Sequence, residues 1–264
     1  MAFDIDKFAA TSEPVGWQDL DFSAFRTDPL PPSSLRALRY MADVEYHTVC
    51  YLRDVLVTPS HSDGEVSTFM TMWNREEFWH GEALAAVLKE HGITLEYDQL
   101  KAKRLKLGWR DRLGPIKQSL GSTLVGKDFI ATHMTWGAAN EWSAVAAYKR
   151  LAALEPHPAL APLLQRIAKQ EARHVAFYAT QARARLAESP KAQKVTRFAL
   201  QRFWGPVGSG VMAESEVTHA MRHLFSGDQG RAQIEKLDRD VAKLPGLEGL
   251  TIFADALAKR GIAA

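Results

Sequence analysis

Four stretches of this chain repeat apolar side chains at spacings of three and four, the period of a helix buried along one side. The first, opened by Ser33 or Ser34 and stopped at Thr58-Pro59, aligns Leu38, Met41, Glu45, Thr48, Leu52 and Val55. The second starts near Asp63 and aligns Phe69, Met70, Trp73, Glu77, His80, Leu84 and Val87 before His91-Gly92 ends it. The third, over 122–154, carries Ile130, Met134, Gly137, Glu141, Val145 and Tyr148 in line. The fourth follows Pro158, carries Leu160, Leu164, Ile167, Glu171, His174, Val175 and Tyr178, and stops before Ser189-Pro190. No stretch shows a convincing strand pattern.

The connections predict how these helices pair. They are short between the first and second and between the third and fourth, which predicts two antiparallel hairpins. About thirty residues, 92–121, separate the hairpins and suit one long crossover. The expected fold is thus an all-α four-helix bundle in a single domain. Residues 1–32, rich in proline and without period, predict an extended arm; 33–188 form the core bundle; 189–264 add two or three accessory helices, with turns at Ser226-Gly227-Asp228 and Leu244-Pro245-Gly246.

Each of the four stripes is interrupted by a carboxylate, and two of them by an imidazole as well. Glu45, Glu77 with His80, Glu141, and Glu171 with His174 occupy positions that the period assigns to the core. Residues three apart on a helix are neighbours, so each Glu-x-x-His directs both side chains to one point. Four carboxylates and two imidazoles from four helices are the ligand set of a dinuclear carboxylate centre. Hard oxygen ligands with imidazole suit iron or manganese, and four negative charges balance two divalent ions. Without cations, four facing carboxylates would repel one another and each would need a partner or a shifted pKa.

Neighbouring groups receive other assignments. Asp43 falls with Arg36 and Arg39 at helical spacing and is expected on a solvated ion-pair face, while Glu76 and Glu82 are expected to point outward. A third match, Glu216-x-x-His219 with His223 one turn later, has no counterpart helix bearing a spare Glu, and its role stays open. His47, His61, His91, His133 and His157 are read as structural. Small residues on the third helix, Gly137, Ala138, Ala144, Ala146 and Ala147, would either open a narrow apolar channel or let helices pack closely.

Composition narrows the classes. With 264 residues, 46% hydrophobic and 24% charged, the chain is ordinary globular material, and no window approaches a membrane span. The opening MAFDIDKFAA lacks the apolar run of a signal peptide, so a cytoplasmic location is expected. One cysteine, Cys50, leaves any metal to His and carboxylates. A net charge of +2 gives no reason to expect nucleic acid. The stretch LKAKRLKLGWRDRLGPIK, residues 100–117 with Lys101 and Lys117 near its ends, concentrates positive charge in the crossover and is a candidate docking face for an acidic partner.

In Trp73-x-x-Glu76-Glu77-x-x-His80-Gly81, in Ile167-Ala168-x-x-Glu171-x-Arg173-His174-x-x-x-Tyr178, and more weakly in Leu247-x-Gly249-Leu250, the chain resembles the soluble acyl-carrier-protein desaturases of the ferritin-like di-iron superfamily. The resemblance implies an O2-dependent enzyme that removes hydrogen from a carrier-bound acyl chain. It further implies two irons held by Glu45, Glu77, His80, Glu141, Glu171 and His174, with Glu77 and Glu171 bridging. An external electron donor such as ferredoxin, acyl carrier protein as partner, and a homodimer are implied as well. Trp73, Asn140, Gln170 and Tyr178 would stand behind the ligands. The chain departs from the family at three places: Ala144 where a Thr is usual, Gln170 where an Asp is usual, and Asn140 in place of Gln. These leave two alternatives open: a di-iron oxygenase or N-oxygenase acting on another small molecule, and a ferritin-like protein that handles peroxide or metal.

Overall fold

The computed structural model describes residues 3–106 and 113–262. Four long helices, α2 (Pro32–Val55), α3 (Gly64–Glu90), α6 (Asp128–Leu154) and α7 (Leu160–Glu188), form the core of an all-α bundle. Helix α1 (Ile5–Ala10) precedes them; α4 (Tyr97–Lys106) and α5 (Gly114–Val125) occupy the crossover; α8 (Pro190–Phe203), α9 (Glu214–Phe225), α10 (Gly227–Ala242) and α11 (Ile252–Ala258) follow. No strand occurs among the described residues.

Local chemistry sets the ends of these helices. Pro32 sits in the first turn of α2, where its missing N–H costs nothing. The Asp63 carboxylate accepts from the Val66 amide and caps α3. Ser189 accepts from the Ala192 amide and caps α8, whose first residue is Pro190. The α2–α3 hairpin turns through a short 3-10 segment, Pro59–Ser62, and α6 packs along α7, so both predicted hairpins are present. Helix α8 lies on α6 and α7, α9 on α2 and α6, and α10 on α6, α9 and α11.

Three expectations need correction. The third predicted helix is two helices, because Gly126 adopts φ +73°, a left-handed conformation that ends α5 and that a side chain would resist. The C-terminal part holds four helices rather than two or three. The arm is only partly extended: α1 packs on α3, and a 3-10 turn covers Phe22–Arg26. Its aromatic residues fix it in place. Phe8 lies 5.2 Å from the Phe69 ring and 6.1 Å from that of His174, and Phe25 stacks on His157 at 4.2 Å. Arg166 adds a bidentate bond to Asp19 at 2.6 and 2.7 Å.

Candidate metal centre

Each predicted ligand sits near the middle of its helix, so the six side chains converge inside the bundle rather than at an end. All six are buried, His80, Glu171 and His174 completely. They form two overlapping groups whose ligand atoms lie within 4.8 Å of one another: Glu45, Glu77, His80 and Glu171, and Glu77, Glu141, Glu171 and His174. Glu77 and Glu171 belong to both. Glu171 turns Oε1 to His80 Nδ1 at 3.3 Å and Oε2 to His174 Nδ1 at 2.9 Å, so its two oxygens serve opposite halves. Glu77 Oε1 lies 3.1 Å from His174 Nδ1 and 4.0 Å from His80 Nδ1.

The histidine tautomers follow from what lies behind each ring. His174 Nε2 donates to the Glu76 carboxylate at 2.8 Å, so Nδ1 is the nitrogen that faces the cluster and would offer its lone pair to a metal once it gives up its proton. His80 Nε2 meets Gln170 Oε1 at 2.9 Å. The amide orientation is settled by its other end, since Gln170 Nε2 donates to the Glu13 carbonyl at 3.0 Å. His80 Nε2 must therefore carry the proton, and its Nδ1 also faces inward. Trp73 donates its indole N–H to Glu141 Oε1 at 3.0 Å, and the Tyr148 hydroxyl donates to Glu45 Oε1.

Electrostatics shows what this arrangement lacks by itself. Burial, joined by repulsion from Glu171 and other carboxylates, raises Glu77 and Glu141 well above the usual carboxylate range, and Glu45 is raised too. Glu171 is also buried, but the imidazole of His174 bonded to it and that of His80 facing it bring it below that range. His174 rises well above its ordinary value because its carboxylate partners outweigh burial. The protein alone thus keeps its cluster together only by holding protons in it. Even so, Glu45 Oε2, Glu77 Oε1, His80 Nδ1 and Glu171 Oε1 are buried without a hydrogen-bond partner. Two divalent cations would satisfy these orphaned donor atoms and replace the protons, so the residues present fit a dinuclear metal site.

A comparison with known proteins finds no family model and no curated protein that matches this chain. The assignment of the site therefore stands on its residues and their geometry.

A cavity of about 630 Å³ adjoins the cluster and is walled by Glu45, Glu77 and Glu141 at one side. Met41, Val44, Ala144, Ala147, Met212 and Phe253 line much of the remainder. Both readings of the small residues hold. Gly137, Ala144 and Ala147 border the cavity, and Gly137 also makes room for Tyr178: a Cβ there would lie 2.2 Å from the tyrosine ring. The loop after α8 also lines it; there Tyr40 donates to the Val207 carbonyl and Gly208, at φ +86°, leaves no room for a Cβ beside Val44 and Tyr40.

Several neighbouring assignments change. Glu76 is fully buried behind His174 rather than outward, with Arg173 Nη1 3.7 Å from its Oε1. A sequence signal for this existed: Phe69 and Ala83, one heptad to either side, are both apolar and buried. Asp43 does pair with Arg39, but it is buried under α4, whose Lys103 also binds it; Arg36 goes instead to Glu216. Asn140 accepts from the Trp204 indole and makes no bond to a ligand, and the Tyr178 hydroxyl goes to Met70 Sδ at 3.2 Å. Gln170 and Trp73 are the two of the four that reach ligands. Glu216 is held by Arg36, and His219 by the Ser33 carbonyl, so this third motif is tied to the start of α2. In the basic run, Lys103 and the Arg104 guanidinium, which donates to the Tyr46 carbonyl, are turned onto α2; residues 107–112 lie outside the described residues.

Proposed function

We propose that this protein is an O2-dependent non-haem di-iron oxidoreductase, an acyl-acyl-carrier-protein desaturase or a close relative. One observation carries the reading: two buried ligand groups that share Glu77 and Glu171 border an apolar cavity of about 630 Å³, within the roughly 300–1,000 Å³ of small-molecule sites. A storage or structural cation would have no use for such a cavity.

When bound, two iron ions would supply O2 reduction and the removal of hydrogen from an unactivated carbon. Glu45, Glu77 and His80, and Glu141, Glu171 and His174, would hold them, with manganese a possible substitute. The chain's own residues do the positioning. Trp73 and Tyr148 fix the outer carboxylates Glu141 and Glu45, and the apolar wall at Ala144 and Ala147 receives a flexible chain and excludes water. In a desaturation, one O2 accepts the two substrate hydrogens together with two electrons and two protons, and two waters leave. The electrons come from an external donor such as ferredoxin.

A carrier protein would meet the positive charge of the crossover, where Lys101 and Lys117 are exposed. Among the described residues no helix is long and apolar enough to cross a membrane. The second reading, oxygenation of another small molecule, draws on Ala144 and Gln170, which replace the polar and acidic residues usual in the desaturases.

Product analysis decides between them. Purified protein loaded with iron, a ferredoxin reducing system, O2 and saturated acyl-carrier thioesters should yield a monounsaturated product. A hydroxylated or N-oxygenated product from any substrate would move the assignment to the second reading, and an inert protein binding no metal would overturn both.

A further inference from the structure

Each half of the cluster has one imidazole, one outer carboxylate and a share in Glu77 and Glu171, but different groups stand behind the two imidazoles. Behind His174 is a carboxylate, Glu76, fully buried and bonded to Nε2 at 2.8 Å. Behind His80 is a neutral amide, Gln170 Oε1, at 2.9 Å. A carboxylate draws on the ring N–H far more strongly than an amide oxygen does and makes the opposite nitrogen a better donor. We infer that the two metal positions are unequal: the His174 position fills first and holds its ion more tightly, and Glu76 and Gln170 are the positioning residues that set this order. The inference rests on the dinuclear reading above and extends it to the sequence of assembly.

Three further features support the assignment. Glu76 is fully buried between His174, which bonds its Oε2 at 2.8 Å, and Arg173, whose Nη1 lies 3.7 Å from its Oε1, so the carboxylate is fixed in place behind the ring. Arg173 in turn donates to the carbonyls of Phe8 and Thr11, and Gln170 donates to that of Glu13. The N-terminal arm thus buttresses both residues, and the difference between them is one of charge rather than of support. The outer carboxylates do not cancel it, since each accepts one hydrogen bond, Glu141 from Trp73 and Glu45 from Tyr148.

The test is anaerobic calorimetric titration of metal-free protein with Mn(II), which needs no turnover, with electron paramagnetic resonance at each equivalent. Two steps of one ion each are expected, separated by about tenfold or more, the lower end of what such outer partners contribute. The first equivalent should give the signal of an isolated ion and the second that of a coupled pair. His80→Ala should keep the first step, and His174→Ala should remove it. Glu76→Gln should weaken the first step by about 10–100-fold and bring the two together. Gln170→Glu, which adds a charge at nearly constant shape, should tighten the second step by a similar factor and serves if Glu76→Gln does not fold. Two equal steps in the unaltered protein, or a first step that Glu76→Gln leaves in place together with a second step that Gln170→Glu leaves unchanged, would overturn the inference while leaving the dinuclear reading intact. Absence of any bound ion would overturn both.

Discussion

The Trp73 indole N–H lies 3.0 Å from Glu141 Oε1, a bond between α3 and α6 made inside the bundle. It leaves Oε2 of the carboxylate toward His174, 3.5 Å from Nδ1. Trp73→Phe keeps most of the ring and removes the donor. Metal affinity should fall by about tenfold or more, as for other outer partners of metal ligands, while the fold persists. Titration of the variant beside the parent protein checks this, and unchanged affinity would show that Trp73 only packs.

Glu141→Ala and His174→Ala each remove a donor atom that nothing else in the core can replace. Both variants should lose metal and activity together, by elemental analysis of protein reconstituted with Fe(II). Full metal content in both would sink the ligand assignment.

The metal-free cluster titrates in a defined sense. Glu45, Glu77 and Glu141 hold protons more tightly when folded than when unfolded, through burial and mutual repulsion. Their contribution to stability is complete below the ordinary carboxylate value of 4.5 and is lost as pH rises through their raised folded values. His80 and His174, also raised, lose theirs above 6.5. Glu171 works in the other direction, losing its contribution only in acid. The melting temperature of metal-free protein should therefore fall from about pH 5 to about pH 8. Metal affinity should rise over the same range, with proton release visible in buffers of different ionisation heat. Parallel pH profiles for the free and loaded protein would contradict this.

Gly137→Ala drives a methyl to within 2.2 Å of the ring of Tyr178, which is itself fully buried. Such overpacking costs about 1–3 kcal/mol, and each kcal/mol lowers the melting point of a chain this size by roughly 2–4 °C. A melting curve measures it directly; an unchanged midpoint would mean that Tyr178 moves aside freely.

Ala144→Leu should do the opposite. Ala144 borders the cavity, so the larger side chain enters open space and leaves the ligands untouched. Metal content should stay full and stability should hold, while the turnover of a long acyl substrate that the proposed function requires should drop. Loss of metal in this variant would place Ala144 against the ligands rather than along the substrate path.

The helical stripes and their interruptions were legible in the chain because burial on one side imposes a period that any buried carboxylate visibly breaks. Glu45, Glu77, His80, Glu141, Glu171 and His174 lie together in the structure for that reason. Glu76 stands beside the stripe centre, where Phe69 and Ala83 one heptad away mark a buried flank but the period does not say that this flank meets His174 on α7. Asp43 was misjudged for a related reason: its own helix offers it Arg39, but it is α4, arriving from sixty residues later, that covers it with Lys103.

The sequence by itself determined the all-α class, the two hairpins and the six inward groups, since these depend on period, caps and short connections. Only the tertiary structure decided which atoms face one another. Glu171 divides its oxygens between two histidines, Glu76 and Gln170 orient two imidazoles, and the loop at Gly208 lines a cavity, each through a contact between distant segments that no local pattern encodes.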